Sequence, residues 1–138
     1  MNEPSLIREI LANCKTIAVV GLTDKEGRAS FGVSRFVQSR GYRIVPVNPW
    51  IESALGEKAY PSLDAACAAV ESIRLVNVFR APKYVGAIVE DVVRLKIPYL
   101  WLQEGVIDPT AVATAEAAGV KVVMNRCLLK ERMNYGWD

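Results

Sequence analysis

The chain has 138 residues, 51% of them hydrophobic and 23% charged, with a formal net charge of +2 and a pI near 8.5. That length holds one domain able to bury a continuous core unaided, and it leaves no room for a second, catalytic domain. The charge is too mild for a nucleic-acid surface, no apolar run approaches a membrane span, and the lack of histidine removes the commonest proton shuttle at neutral pH.

Cys14, Cys67 and Cys127 are odd in number and lack metal-ligand spacing, so neither a disulfide framework nor a zinc site is expected. Glu3, Pro4, Arg8 and Glu9 break any secretory pattern at the start of the chain. A reduced, cytoplasmic setting is the simplest expectation.

In chain order, Ser5 is placed to cap a helix over residues 5–13, where Leu6, Ile7, Ile10 and Leu11 recur at helical spacing. Thr16 to Val20 is the short β-branched run of a strand buried on both faces of a parallel sheet. A loop containing Gly21, Gly27 and Ser30 follows. Val33, Phe36 and Val37 then form the apolar stripe of a helix that ends near Arg40, with Gly41 as its left-handed C-cap. Tyr42 to Val47 is the second strand, stopped around Asn48 by Pro46 and Pro49.

Residues 50–61 read as a loop with a short extended piece. Ser62 caps a helix through Leu63, Ala66, Cys67 and Val70. Arg74 to Phe79 is the third strand, and Pro82 opens a helix carrying Val85, Ile88, Val89, Val92 and Val93. Tyr99 to Leu102 is the fourth strand. Asp108 and Pro109 start a helix that Gly119 closes, before a fifth strand at Val120 to Met124. The stretch 126–138 has apolar Leu128, Leu129, Met133, Tyr135 and Trp137 but no clean period, and it is expected to fold back or fray.

Strands alternating with helices at this spacing give right-handed βαβ units. The fold class expected is α/β: a three-layer, Rossmann-like, doubly wound parallel five-stranded sheet of order 3-2-1-4-5, as one domain over residues 1–138. Ligands of such sheets lie beyond the carboxyl ends of the strands. A loop between strand and helix there offers backbone N–H groups and the positive end of a helix dipole to an anion. Lys25, Arg28, Arg35, Arg40 and Arg43 gather near that loop in the sequence, which suits a polyanionic small molecule. Gly21, Gly27 and Gly32 are spaced too widely for the dinucleotide fingerprint, and the second strand ends in Val47-Asn48-Pro49 without the acidic residue that holds a ribose 2′-hydroxyl.

The segments Ala18-Val-Val-Gly-Leu-Thr, Arg28-Ala-Ser-Phe-Gly-Val, Gly41-Tyr-Arg-Ile-Val-Pro-Val-Asn-Pro, Gly56-Glu-Lys-Ala-Tyr-Pro-Ser-Leu, Val76-Asn-Val-Phe-Arg, Trp101-Leu-Gln-Glu-Gly-Val and Val123-Met-Asn-Arg-Cys run through nearly the whole chain. Together they resemble the small stand-alone CoA-binding domain proteins, whose fold is similar to the CoA-binding domain of the succinyl-CoA synthetase alpha subunit. The resemblance implies that Gly21, Thr23, Arg28, Ser30, Phe31 and Gly32 wrap the CoA diphosphate. It implies that Pro46, Val47, Asn48 and Pro49 lie beside the adenosine, with Arg43 as a candidate phosphate charge. Phe79, Arg80 and Pro82 match the motif that closes the cleft, and Trp101, Gln103 and Gly105 the region near the pantetheine arm, although core packing is an equal reading of Trp101. This chain departs from the family pattern at Glu104, Asn125 and Arg132.

Cys127, beside Arg126 at a strand end, is a candidate for a lowered thiol pKa and a mixed disulfide with CoA. The expected function is non-catalytic binding of CoA or an acyl-CoA as a small-molecule partner, with no nucleic acid or membrane and no protein partner indicated. The alternatives are an NAD(P)-binding redox-sensing domain and an accessory part of a CoA-using enzyme. No nucleophile, base and oxyanion set can be assembled from the residues at the strand ends.

Overall fold

A computed structural model of the chain describes residues 1–135. A central parallel sheet of five strands is formed by β1 (Thr16–Val20), β2 (Arg43–Val47), β5 (Leu75–Val78), β6 (Tyr99–Leu102) and β7 (Lys121–Met124), in the order β2-β1-β5-β6-β7. Two-residue strands β3 (Ser53–Ala54) and β4 (Glu57–Lys58) make a separate hairpin. After it, Tyr60 forms a single parallel bridge to Val47, outside β2. With that bridge in third place the sheet follows the expected 3-2-1-4-5 pattern, and the segment around Arg74 to Phe79, expected as the third strand, pairs with the other side of β1.

The five main strands are apolar on both faces because each face is covered by helices. On one side α1 (Pro4–Asn13), α2 (Ala29–Ser39) and α6 (Leu128–Asn134) pack over Ile17, Val19, Ile44, Leu75, Trp101 and Val123. On the other, α3 (Leu63–Ala69), α4 (Val85–Arg94) and α5 (Pro109–Ala117) cover Ala18, Val45, Val76, Val78, Leu100 and Val122. Each fully buried Leu, Ile or Val in these layers contributes about 1.5–3 kcal/mol of transfer free energy. Among the described residues, no helix is long and apolar enough to cross a membrane.

Local signals act as their chemistry requires. Ser62 Oγ accepts from Ala65 N–H at 3.1 Å, and Asp108 Oδ1 accepts from Ala111 N–H at 3.1 Å, so α3 and α5 start where their caps stand. Gly41 ends α2 with φ +94. One expectation is corrected and another is resolved. Ser5 lies inside α1, which starts at Pro4 after an N-cap at Glu3 that makes no side-chain hydrogen bond. The stretch expected to fold back or fray forms α6, which packs against α2 and receives a cap from outside its own sequence: Leu128 N–H donates to Gln103 Oε1 at 3.0 Å. Trp137 lies outside the described residues.

Candidate functional site

β1 sits between β2 and β5, and the connections leaving β1 and β2 run to opposite sides of it. The crevice of a doubly wound sheet opens at such a switch point, beyond the carboxyl ends. Here it lies between Gly21 and Phe79. Gly21 has φ +89, and a Cβ on it would meet the Phe79 carbonyl oxygen at 2.3 Å. Glycine is required there for the backbone angle and for the close approach of the two strand ends.

Three cavities adjoin along this edge. The first, about 350 Å³, lies at the end of β2 between Asn48, Pro49, Trp50, Leu63 and Ile88, and extends to Gly21 and Arg80. The second, also about 350 Å³, lies over the start of α2 and is lined by Gly21, Thr23, Lys25, Arg28, Ser30 and Phe79. The third, about 430 Å³, runs from Ala29, Phe79 and Arg80 to Gln103, Val106 and Cys127. Gly21 joins the first cavity to the second, Phe79 joins the second to the third, and Arg80 lines both the first and the third. They form one groove across the switch point. A concavity of about 540 Å³ between α4 and α5 is lined by no strand-end residue, so fold topology favours the groove as the site.

The second cavity gathers cationic groups at a helix start. The amides of Gly21, Thr23, Lys25 and Arg28 are spent within the protein, on Val47 O, Ser30 Oγ, Thr23 Oγ1 and Lys25 O. The loop is therefore held in shape by its own hydrogen bonds, and what it presents is the first turn of α2, whose leading N–H groups have no intrahelical acceptor. Arg28, the N-cap of α2, makes no side-chain cap and the first turn holds no acidic residue. Among the described residues neither Arg28 nor Lys25 pairs with a carboxylate, whereas Arg35 lies 3.9 Å from Glu26. A helix start with two uncommitted cations attracts phosphate oxygens.

The loop after β2 is fixed by Asn48. Its backbone N–H donates to Tyr60 O at 2.9 Å, its Nδ2 donates to Leu22 O at 3.0 Å, and its Oδ1 accepts from Trp50 N–H at 2.8 Å. The β1 and β2 loops are thereby tied together across the groove. At the far end, Arg80 stacks on Tyr84 with its guanidinium 4.0 Å from the ring centroid, and Asn125 Oδ1 accepts from Gly105 N–H at 2.9 Å, joining the β6 and β7 loops.

Of the residues named from the sequence, Gly21, Thr23, Arg28, Ser30, Val47, Asn48, Pro49, Phe79, Arg80, Gln103 and Cys127 line the groove. Others are placed elsewhere. Arg43 is corrected: it begins β2 at the amino edge of the sheet, about 13 Å of extended chain from Val47. Trp101 is corrected as a ligand contact, because it is 0% exposed and its Nε1–H donates to Arg126 O at 2.9 Å. Phe31 packs in the core beneath α2, and Pro46 is buried in β2. Gly32, Pro82 and Gly105 lie in the neighbouring backbone without lining a cavity. Cys127 is buried, as the N-cap of α6. Glu104 is paired with Lys130 at 3.1 Å. Sequence reasoning missed Trp50, whose signal was a large aromatic directly after Asn48-Pro49 in an otherwise polar loop.

The chain is similar to known proteins over nearly its whole length. The chain is 38% identical over 130 residues to the YneT protein of Bacillus subtilis (strain 168), covering 93% of this chain and 94% of that one. A solved hypothetical protein from Pyrococcus horikoshii OT3 superposes with a TM-score of 0.87 at 33% identity, covering 96% of this chain and 91% of that one. A solved protein from Thermus thermophilus, cell-free ID.343, gives 0.88 at 32% identity, covering 96% and 98%. The model of the CoA binding domain family matches residues 15–133, and the chain belongs to that family.

Proposed function

We propose that this protein binds coenzyme A or an acyl-CoA in the groove across the strand ends, and that it does so without turning it over. The observation that carries the reading is the meeting of three cavities at Gly21, Phe79 and Arg80: an apolar pocket with an exposed aromatic, a cavity with two uncommitted cations, and a cavity reaching Cys127. Coenzyme A has three parts to match, a base and ribose phosphate, a diphosphate and a long amide-bearing arm. Arg28 and Lys25 with the start of α2 would receive the diphosphate, the pocket after β2 the adenosine, and the channel past Phe79 and Gln103 the pantetheine arm.

The side chains present support binding without chemistry. The chain has no histidine, and the groove brings together no nucleophile with a base and oxyanion donors. The Rossmann-like layout is also compatible with NAD(P), but β2 ends in Val47-Asn48-Pro49 rather than in an acidic residue.

Isothermal titration and native mass spectrometry of the purified chain test the reading. Coenzyme A is expected to bind at micromolar concentration and to raise the melting temperature, since a ligand of the folded state stabilises it. Stabilisation by NAD(H) and not by coenzyme A would overturn the reading in favour of a redox-sensing domain. ATP-dependent thioester formation by the chain would overturn its non-catalytic part.

A further inference from the structure

Trp50 is 84% exposed, the most exposed large hydrophobic residue among those described, while Trp101 is fully buried. An indole left in water forgoes the free energy of burying it, and a single exposed apolar residue needs no explanation by itself. Trp50, however, stands at the rim of a cavity whose floor is Val20, Val47, Leu63 and Ile88, and its backbone is held in place. Its N–H donates to Asn48 Oδ1 at 2.8 Å, Asn48 is itself bound to Leu22 O and Tyr60 O, and Pro49 restricts the link between them. The residue is thus carried on a fixed loop at the rim of a cavity with an apolar floor.

We infer that Trp50 is the stacking platform for the purine base of the bound nucleotide, an inference that rests on the coenzyme reading above. The next cavity along the groove, reached through Gly21, is the anion site, so a nucleotide phosphate held by Arg28 and α2 places its base toward one end or the other. The end at β2 offers an aromatic face and an apolar floor, the two surfaces that a flat heteroaromatic ring needs. The other end offers Val33 and Val106 beside Gln103, Glu104 and Cys127, and no aromatic besides the shared Phe79. Trp50 therefore governs the affinity for the nucleotide half of the coenzyme and leaves the pantetheine half unaffected.

The test compares the wild type with W50A and W50F by calorimetric titration with coenzyme A, adenosine 3′,5′-bisphosphate and 4′-phosphopantetheine, after circular dichroism has shown that each variant is folded. W50A is expected to lose roughly ten-fold in affinity for the two adenine ligands and W50F to retain most of it. 4′-Phosphopantetheine is expected to bind all three proteins alike. Tryptophan emission is expected to fall on addition of adenosine 3′,5′-bisphosphate to the wild type and to stay constant in W50F. Wild-type affinity of W50A for coenzyme A would overturn the role of Trp50 while leaving the coenzyme reading intact, as would a change in oligomeric state of W50A without a change in affinity. No binding of coenzyme A by the wild type would overturn both.

Discussion

A Cβ atom on Gly21 would lie 2.3 Å from the carbonyl oxygen of Phe79, so β1 and β5 meet backbone to backbone at the mouth of the groove. Gly21 also donates its N–H to Val47 O at 3.0 Å, and Phe79 donates to Val20 O at 2.8 Å. One residue without a side chain lets three strand ends converge, and the groove exists because they do.

Gly21→Ala is therefore expected to cost more than about 3 kcal/mol, since the positive φ alone costs about 1–2 kcal/mol and the backbone must also move apart. Gly41→Ala is the control. Gly41 has φ +94 with nothing near the position of a Cβ, so only the backbone penalty of about 1–2 kcal/mol applies. Urea midpoints check the difference. Equal losses in the two variants would show that the strand ends at Gly21 can part freely.

Arg28 and Arg43 separate position in space from position in sequence. Removing a guanidinium that makes charge-assisted hydrogen bonds costs about 1.5–3 kcal/mol, so Arg28→Ala is expected to weaken coenzyme A binding roughly ten- to a hundred-fold. Arg43, at the opposite edge of the sheet, is expected to be replaceable by Ala with no change in affinity. Titration calorimetry at low and high salt checks both, and the difference is expected to shrink as salt screens the phosphate contacts. Loss of affinity in Arg43→Ala would move the phosphate site away from α2.

What was legible in the sequence was what local chemistry determines. Apolar β-branched runs between turn residues placed β1, β5 and β6 within a residue or two, and Ser62, Asp108 and Gly41 marked helix ends by hydrogen bonds or backbone angles that involve only neighbours. Long-range contacts were not legible. α6 is held by α2 and by Gln103, which lies far from it in the chain, so the run 128–134 carries no cap of its own. Arg43 follows the first loop closely in sequence, yet α2 carries the chain back to the amino edge before β2 begins. Trp101 sits in a strand that is apolar throughout, where no alternation tells a core position from a groove position. The resemblance in motifs identified the family and most of the groove, and it could not supply Trp50, which is outside the motifs that carry it.

Asn77 is a second position where the local rule is broken. It lies in the centre of the sheet between Val19 and Trp101, 1% exposed, and neither polar atom of its side chain has a partner. Burying an amide unpaired costs about 1–3 kcal/mol. Asn77→Leu, which keeps the branched heavy-atom skeleton, is expected to raise the urea midpoint wherever the sheet face accommodates the larger methyl groups. Ser34→Ala, in α2 on the same side of the sheet, where the hydroxyl is also buried and unpartnered, is expected to give a smaller gain. A fall in the midpoint of Asn77→Leu would show that the amide has a partner in solution.

Alkaline lability is expected from two groups in the layer beneath α1. Cys14 is 0% exposed, and burial pushes its thiol up from 9.0 to about 11. Tyr99 donates its hydroxyl to the Glu9 carboxylate, and that hydrogen bond, with burial and the adjacent negative charge, pushes the phenol up from 10.0 to about 12. Both groups ionise at lower pH in the unfolded chain than in the fold, so rising pH favours the unfolded state until the folded groups ionise as well. Stability is undiminished below pH 9, falls as the unfolded thiol and then the unfolded phenol ionise, and levels off once the folded groups have ionised. For Cys14 the loss between pH 9 and 11 is on the order of 2 kcal/mol. Cys14→Ala is expected to flatten stability against pH in that window, with a lower starting stability from the cavity it leaves. Tyr99→Phe is expected to flatten it between pH 10 and 12. Urea unfolding of the wild type and both variants at half-unit pH steps measures the slopes, and an unchanged slope in Cys14→Ala would show that the thiol is reached by water in the folded protein.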